Sequence, residues 1–206
     1  MQHDDGVFMS VEPWCIKALV GVRRGTAYDI GANAGSWTLL LSESFGSVYA
    51  VEPDPRAFAA LAVAMDGIAN VTLFNAAVCS EAGSGMLYMR SNSLQSSLLA
   101  DSPIGGDGGM PCPATSLATV VRMRLDDVSG YAPDFIKIDI EGSEVDAMLE
   151  IEKGRWAGTT FLVECHDTAS AVSSRLLELG KSVERVAHPH PGDAHPGHCW
   201  VIGRPA

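Results

Sequence analysis

The sequence predicts an α/β fold in which a mostly parallel sheet is covered by helices on both faces. Short apolar runs alternate with longer amphipathic runs along most of the 206 residues, and the first apolar run ends in a cluster of glycines and other small residues. Strand–helix alternation at this spacing is typical of parallel sheets joined by crossover helices. Ligands of such sheets bind outside the carboxyl ends of the strands, so the loops at those ends are the candidate functional segments.

The elements follow one another in regular order after a short amphipathic lead-in over residues 1–24. Strands are predicted at 26–30, 48–51, 71–74, 135–138, 161–163, 182–187 and 199–203. Helices are predicted at 36–44, 54–65, 143–152 and 169–179. We expect a single domain over residues 1–206.

Residues 78–127 interrupt this alternation. Within them we expect a hairpin that pairs residues 86–89 with residues 120–123. Residues 91–113 are rich in Ser and then in Gly and Pro, which is typical of a functional loop or a disordered segment. The segment follows the third strand and therefore leaves the sheet on its ligand side.

The composition restricts the partners and the compartment. The formal net charge of −11 disfavours nucleic acid and anionic membrane surfaces as partners. Five scattered cysteines form no CxxC pair, which fits neither a zinc ribbon nor a disulfide framework and indicates a reducing cytoplasm. The chain begins with acidic residues where a signal peptide would be basic, and no apolar run reaches the length of a membrane span.

The strongest motif is Asp29-Ile30-Gly31-Ala32-Asn33-Ala34-Gly35, at the end of the first strand. Small residues allow the backbone to approach a ligand closely and to turn sharply into a helix. Glu52 ends the second strand, where its carboxylate can accept hydrogen bonds from both hydroxyls of a ribose. The glycine loop and Glu52 together indicate a cofactor that contains adenosine. The alternative is a glycine turn that binds no ligand.

The glycine spacing favours S-adenosylmethionine over a dinucleotide. A dinucleotide site uses G-x-G-x-x-G to make room for the pyrophosphate, whereas this loop has G-x-N-x-G with Asn33 in the middle. Asp29 would repel a pyrophosphate, but it could organise the ammonium end of the methionine moiety. At the end of the third strand, Asn75 could bond the adenine and Ala76 could pack on it. The alternative is that Asn75 is an ordinary polar residue at a strand end.

Four polar side chains follow the next two strands and should meet at the same edge of the sheet: Asp139, Glu141, Glu164 and His166. His166 is the preferred general base, because an ordinary imidazole changes charge near neutral pH. Asp139 or Glu141 could orient the acceptor, and Glu164 could hold His166 or bind substrate. Each acid could instead cap the following helix, and this is the preferred interpretation for Glu144.

A divalent metal is the competing interpretation of this cluster. Two acids and a histidine could bind Mg²⁺ and acidify a substrate hydroxyl, although we slightly favour acid–base chemistry without a metal. Four further histidines lie between the last two strands, at positions 188, 190, 195 and 198. Their spacing matches no fixed ligand pattern, so a solvated polar loop is preferred over a metal site.

Taken together, these motifs resemble the FkbM-type methyltransferases. The resemblance rests on DIGANAG at 29–35, VEP at 51–53, LDD at 125–127, IKIDIEGSE at 136–144 and ECH at 164–166. It implies a Rossmann-like class I methyltransferase fold, with a seven-stranded sheet whose last strand is antiparallel. It also implies S-adenosylmethionine as the methyl donor and, most often, a hydroxyl acceptor on a sugar or natural-product intermediate.

The resemblance also implies site residues. Asp29, Gly31, Gly35 and Glu52 match the family's cofactor positions, and Asp139, Glu141, Glu164 and His166 match its strand-end residues. The region before the glycine loop is short for the family, and residues 91–113 are unusually rich in Gly and Pro. Both departures leave the identity of the methyl acceptor open. They also leave open a homo-oligomer in which a partner chain completes the site.

We therefore expect a methyltransferase that acts on a hydroxyl of a small molecule. Three alternatives stay open at this point: N-methylation of a small molecule, a dinucleotide-dependent oxidoreductase, and a non-catalytic module that binds the cofactor without turnover.

Overall fold

The computed structural model describes residues 15–91, 96–100, 105–106, 110–111, 113–187 and 198–206. Its strands are β1 (Thr26–Ile30), β2 (Ser47–Val51), β3 (Val71–Phe74), β4 (Ala76–Val78), β5 (Gly83–Met89), β6 (Gly105–Gly106), β7 (Met110–Pro111), β8 (Ser116–Met123), β9 (Phe135–Ile138), β10 (Thr160–His166), β11 (Lys181–Ala187) and β12 (His198–Pro205). Its α-helices are α1 (Ser36–Ser42), α2 (Pro55–Ala64), α3 (Glu144–Met148) and α4 (Ala169–Glu178), and single 3-10 turns occupy Cys15–Leu19 and Leu125–Asp127.

The main sheet has seven strands in the order β11-β12-β10-β9-β1-β2-β3. All neighbouring pairs are parallel except the two that involve β12, which runs antiparallel to both β10 and β11. The predicted seven-stranded sheet with an antiparallel last strand is thereby confirmed. The chain order reverses between β1 and β9, and the carboxyl ends beside such a switch point form the usual ligand crevice of α/β sheets.

Hydrophobic clusters cover both faces of the main sheet. On one face, the Cys15–Leu19 turn and α1 pack around Leu41, Phe45 and Phe135. On the other, α3 and α4 pack with the fully buried Trp156. Burial on both faces explains why the central strands read as continuous apolar runs.

Among the helices and the strands of the main sheet, two predicted boundaries differ from the structure by three residues or more. The helix predicted at 143–152 ends at Met148, because the Arg175 guanidinium donates to the carbonyls of Met148, Leu149 and Ile151 and so satisfies them outside a helix. The strand predicted at 161–163 extends to His166, because its pairing with β12 continues to His198.

The segment over residues 78–127 builds a second, smaller sheet. The predicted hairpin forms as β5 and β8, which pair antiparallel, but its predicted register is wrong, because residues 86–89 lie opposite residues 116–119 rather than 120–123. Strand β4 adds to β8 in parallel. Only parts of the segment 91–113 are described. In the described part, Ser97 pairs with Tyr88 through two backbone hydrogen bonds, so residues 96–100 are tied to the second sheet. Among the described residues, no helix is long and apolar enough to cross a membrane.

The loops after β1 and β9 touch at Gly31. This residue has a φ of +77°, and a Cβ placed on it would lie 1.8 Å from the carbonyl oxygen of Asp139. A glycine is therefore required here for two reasons, the left-handed backbone and the close approach of a second loop.

We expect Gly31→Ala to destabilise the protein by at least about 3 kcal/mol, because the methyl group must displace the Asp139 backbone as well as adopt a strained φ. Gly67→Ala is the matched control, since Gly67 has a φ of +78° and nothing lies within 4 Å of the point that its Cβ would occupy. It should cost only about 1 kcal/mol. Urea unfolding measures both; equal losses would show that the contact with Asp139 is unimportant.

Candidate functional site

An open cleft of about 580 Å³ lies at the carboxyl edge of the main sheet, beside the switch point. Its walls come from the carboxyl ends of β1 and β2 with the loops that follow them, from β4, from Leu87 on β5, from the loop after β9 and from the segment 96–98. The lining residues are Ile30, Gly31, Asn33, Val51, Glu52, Pro53, Ala76, Ala77, Val78, Leu87, Ser96, Ser97, Leu98, Asp139, Ile140, Glu141 and Ser143. The cleft thus has an apolar floor and carboxylates toward both ends.

Glu52 is held firmly in one wall of the cleft. One carboxylate oxygen accepts the backbone N–H of Asn33 at 2.8 Å, and the other accepts that of Asp54 at 2.7 Å. Burial raises the pKa of Glu52 to about 7, although these two backbone hydrogen bonds oppose the rise. Each oxygen can accept a second hydrogen bond, so the carboxylate can receive two hydroxyls from a ligand in the cleft.

Only the middle of the glycine loop 29–35 lines the cleft, and its two ends do not. Asn33 adopts a φ of +47°, lines the cleft, and anchors Glu52 through its N–H. Gly31 also lines the cleft. Gly35 instead serves packing, because a Cβ on it would lie 2.8 Å from a methyl group of Leu61 on α2.

A buried lysine that sequence reasoning did not single out organises the edge. Lys137 lies in the middle of β9, its Nζ donates to the carbonyl of Gly31 at 2.7 Å, and it forms ion pairs with Asp29 at 3.5 Å and Asp139 at 3.3 Å. Burial lowers the pKa of Lys137, but the carboxylates of Asp139 and Asp29 outweigh it and hold the pKa above its ordinary value. A lysine inside an otherwise apolar strand is the sequence signal that could have revealed it, because a buried ammonium needs carboxylate partners.

Asp29 is fully buried and does not line the cleft. Its Oδ2 accepts the hydroxyl hydrogen of Thr38 at 2.6 Å, and its Oδ1 faces Lys137. The sequence predicts that Asp29 organises the ammonium end of a ligand, directly or through water, and in the structure it faces the protein's own ammonium group on Lys137.

Asp139 and Glu141 line the cleft in the loop after β9, and β1 separates them from Glu52, which follows β2. The Asp139 side chain is 27% exposed, and burial together with Glu164 raises its pKa to about 6 against the opposing effect of Lys137. Burial also raises the pKa of Glu141 to about 8, and its Oε2 lies 3.7 Å from Nε2 of His166.

His166 is buried behind these two acids and is oriented by Glu144. Its Nδ1 lies 3.0 Å from Oε1 of Glu144, which also accepts the N–H of Gly142, while the other oxygen of Glu144 accepts the hydroxyl hydrogen of Thr168. Glu144 is therefore more than the helix cap predicted from the sequence. It fixes the ring of His166.

The neutral imidazole expected of a general base is not what this structure gives His166. Burial lowers its pKa, but Glu141 and Glu144 outweigh that effect and raise the pKa to about 10. The imidazole is therefore charged at neutral pH and has no lone pair with which to accept a proton.

Glu164 contacts a different histidine from the one expected. Its Oε1 lies 2.7 Å from Nε2 of His198, and the rings of His166 and His198 lie 4.8 Å apart with an interplanar angle of 33°. The prediction of a solvated loop is therefore wrong for His198, which the β10–β12 register places at the cluster. Positions 188, 190 and 195 lie outside the described residues.

The two residues predicted to contact adenine separate in the structure. Ala76 is buried and lines the cleft. Asn75 is not among the lining residues, and its amide donates to the carbonyls of Glu52 and Pro53. It supports the loop that carries Glu52 rather than entering the cleft.

A further feature that the sequence did not reveal is the wall formed by residues 96–98. The hydroxyl of Ser97 donates to the carbonyl of Glu141 at 2.9 Å, and that of Ser96 donates to Asp54 at 2.8 Å. This segment therefore forms a wall of the cleft that is hydrogen-bonded to the loops after β2 and β9.

We expect Lys137→Met to destabilise the protein by about 3–5 kcal/mol, because it leaves buried carboxylates without their cation. Lys17→Met is the control, since Lys17 is an exposed residue in the first turn, and it should change the free energy of unfolding by less than about 0.5 kcal/mol. Chemical denaturation measures both variants. A loss below about 1 kcal/mol for Lys137→Met would show that the buried ion pairs do not support the edge.

Comparison with known proteins supports one family. Residues 29–180 match the methyltransferase FkbM domain. No curated protein matches the sequence.

Solved structures share the fold at low identity. The methyltransferase FkbM from Methylobacillus flagellatus superposes with a TM-score of 0.60 at 14% identity, over 94% of this chain and 48% of that one, so this chain spans about half the length of that relative. Precorrin-6y C5,15-methyltransferase from Geobacter metallireducens superposes with a TM-score of 0.55 at 16% identity, over 97% of this chain and 94% of that one. Fibrillarin from Aeropyrum pernix, solved with natively bound S-adenosyl-L-methionine, superposes with a TM-score of 0.50 at 13% identity, over 88% of this chain and 67% of that one.

The family match covers most of the chain and includes the glycine loop, Glu52, the Lys137 strand and the acidic cluster up to His166. The structural matches show the Rossmann-like class I methyltransferase fold. The chain therefore belongs to the FkbM methyltransferase family.

Proposed function

We propose that this protein transfers the methyl group of S-adenosylmethionine to a hydroxyl of a small molecule, such as a sugar or a natural-product intermediate. The observation that carries the proposal is that Glu52 and the Asp139–Glu141 pair line one and the same cleft. Glu52 suits the ribose of the donor, and the two acids suit a hydroxyl acceptor.

The walls of the cleft fit the donor in three places. Glu52 would accept the ribose hydroxyls on the oxygens that already anchor it to Asn33 and Asp54. Val51 and Ala76 offer an apolar surface to the adenine. Gly31 lines the cleft beside the loop of Asp139, so its backbone can contact the methionine moiety.

At the end of the cleft where the methyl acceptor would bind, the group suited to accept a proton is a carboxylate and not the charged imidazole of His166. Asp139 lines the cleft, and Lys137 holds it from behind. We assign to Asp139 the proton of the acceptor hydroxyl. As the oxygen attacks the methyl carbon, a carbon–oxygen bond forms and the carbon–sulfur bond breaks. The bonding pair stays on sulfur, the donor becomes S-adenosylhomocysteine, and the hydroxyl proton resides on Asp139.

Two observations support a small acceptor. The segment 96–98 encloses the cleft with a further wall, which is hydrogen-bonded to the loops after β2 and β9. The net charge of −11 and the carboxylates in the cleft disfavour polyphosphate chains as substrates.

The proposal is tested by incubating the protein with S-adenosylmethionine that is labelled on its methyl group and with a panel of sugars, polyketide-like alcohols and primary amines. We expect label in a methyl ether after mass-spectrometric analysis. Label on an amine nitrogen would contradict the hydroxyl assignment, and donor binding without product from any acceptor would favour a binding module.

Donor affinity should depend on pH through Glu52. The ionised carboxylate accepts both ribose hydroxyls, whereas the protonated form presents a competing donor, and the pKa of Glu52 is raised to about 7 by burial. The affinity for S-adenosylhomocysteine should therefore rise with pH up to about 7, by as much as about tenfold per unit, and then level off.

Isothermal titration calorimetry of the wild type and Glu52→Gln between pH 5.5 and 8.5 measures this dependence. Glu52→Gln should bind at least about tenfold more weakly at pH 8, and its affinity should vary much less with pH. The same slope in both proteins would assign the titrating group elsewhere.

Asp139→Asn should lower the rate of transfer by about 10²–10⁴-fold, because the amide cannot take the proton, while donor binding stays within a few-fold of wild type. Asp66→Asn, at an exposed position on the turn after α2, is the control. Single-turnover rates and calorimetry give the two quantities. Unchanged transfer in Asp139→Asn would remove this residue from the proton path.

A further inference from the structure

Beyond the donor cleft, two imidazoles and several carboxylates converge where β10 ends and β12 begins. We propose that Glu164, His166 and His198 bind one divalent transition-metal ion, of the kind that Zn²⁺, Mn²⁺ or Co²⁺ represent. The strand-end motifs alone place one histidine at this edge of the sheet. The strand register adds the second.

The three side chains have the separation that a common ion requires. Each can offer one ligand atom, and the three atoms lie within 4.8 Å of one another. An ion between them needs only small side-chain shifts to form bonds of about 2.0–2.2 Å. The facing positions of His166 and His198 in the antiparallel pair fix this arrangement through the backbone.

The orientation of His166 is the one that metal ligands need. Its Nδ1 faces the buried carboxylate of Glu144 at 3.0 Å, and Glu144 is itself held by Gly142 and Thr168. Histidines that bind metals commonly donate their other ring N–H to a carboxylate, which directs the second nitrogen toward the ion. The Nε2 atom of His166 is thus directed to the cluster, on the side of Glu141. An ion bound there would displace the proton that the neighbouring acids hold on the imidazole in its absence.

The charge around the cluster also calls for a cation. Four carboxylates, those of Asp139, Glu141, Glu144 and Glu164, lie around the two histidines, and Lys137 pairs with Asp139. A bound ion would replace the proton of His166 as the positive charge among them. Buried carboxylates are stable only when cations or hydrogen bonds compensate them. Two imidazoles with carboxylates favour a transition metal over Mg²⁺, which prefers oxygen ligands alone.

The ion would lie beside the acceptor end of the cleft. Asp139, Glu141 and His166 form a second group whose ligand atoms also lie within 4.8 Å, and the two acids line the cleft. An ion at this wall would be within reach of an acceptor oxygen and would lower the pKa of its hydroxyl. This role in methyl transfer rests on the proposed function; the binding of the ion does not.

The test is a titration of the full chain, purified without a histidine tag and stripped with EDTA, with Co²⁺ and with Zn²⁺ alone. We expect one equivalent of Co²⁺ to bind, with visible absorption bands of a nitrogen- and oxygen-ligated ion, and with a rise in Tm. His198→Gln and Glu164→Gln should each weaken binding at least about tenfold, and Glu144→Gln should weaken it by about 10–100-fold through the orientation of His166.

Two controls separate this site from others on the chain. Glu184→Gln removes an exposed carboxylate that pairs with Arg204 on the outer strands, and it should bind Co²⁺ like the wild type. A triple variant with Gln at positions 188, 190 and 195 should also retain binding. Loss of binding in the triple variant with retention in His198→Gln would overturn the proposal, as would a wild type that binds no ion.

The same samples are titrated with S-adenosylhomocysteine to show that each variant is folded. A protein that binds S-adenosylhomocysteine but no Co²⁺ or Zn²⁺ would overturn the metal site and leave the proposed function standing. A protein that binds the ion but not S-adenosylhomocysteine would support the metal site and contradict the proposed donor cleft.

Discussion

One buried ammonium group ties together the two central strands of the sheet at the edge where the cleft opens. Lys137 reaches from β9 to the carbonyl of Gly31 and to the carboxylates of Asp29 and Asp139. The glycine loop can approach this closely only because Gly31 has no side chain. A single cation therefore fixes the loop at the methionine end of the proposed donor site and the acid at the acceptor end in one arrangement.

This constraint gives the cleft two chemically different ends. At one end, the backbone N–H groups of Asn33 and Asp54 hold an isolated carboxylate, Glu52. At the other, several carboxylates crowd around Asp139 and His166, so that protons or cations are needed to keep them buried. In the proposed function, the uncharged ribose of the donor binds at the first end, and the acceptor hydroxyl loses its proton at the second. Donor binding and proton transfer are thus separated along one cleft.

The strands, the glycine loop and Glu52 could be predicted from the sequence because each depends on local pattern: apolar runs, small residues at a turn, an acid at a strand end. The partners of the buried charges could not, since they depend on strand order. Lys137 meets Asp29 because β9 lies beside β1, and His198 meets Glu164 because β12 returns antiparallel to β10. The protonation of His166 follows from burial among acids, which no spacing reveals.

The central claim is that the cleft is built for S-adenosylmethionine and not for a dinucleotide. Calorimetric titration of the wild-type protein at pH 7.5 with S-adenosylhomocysteine and, separately, with NAD tests it most directly. We expect one-to-one binding of S-adenosylhomocysteine and no measurable heat with NAD at the same concentrations, because the G-x-N-x-G loop has Asn33 where a pyrophosphate cradle has a glycine. Binding of NAD without binding of S-adenosylhomocysteine would contradict the account.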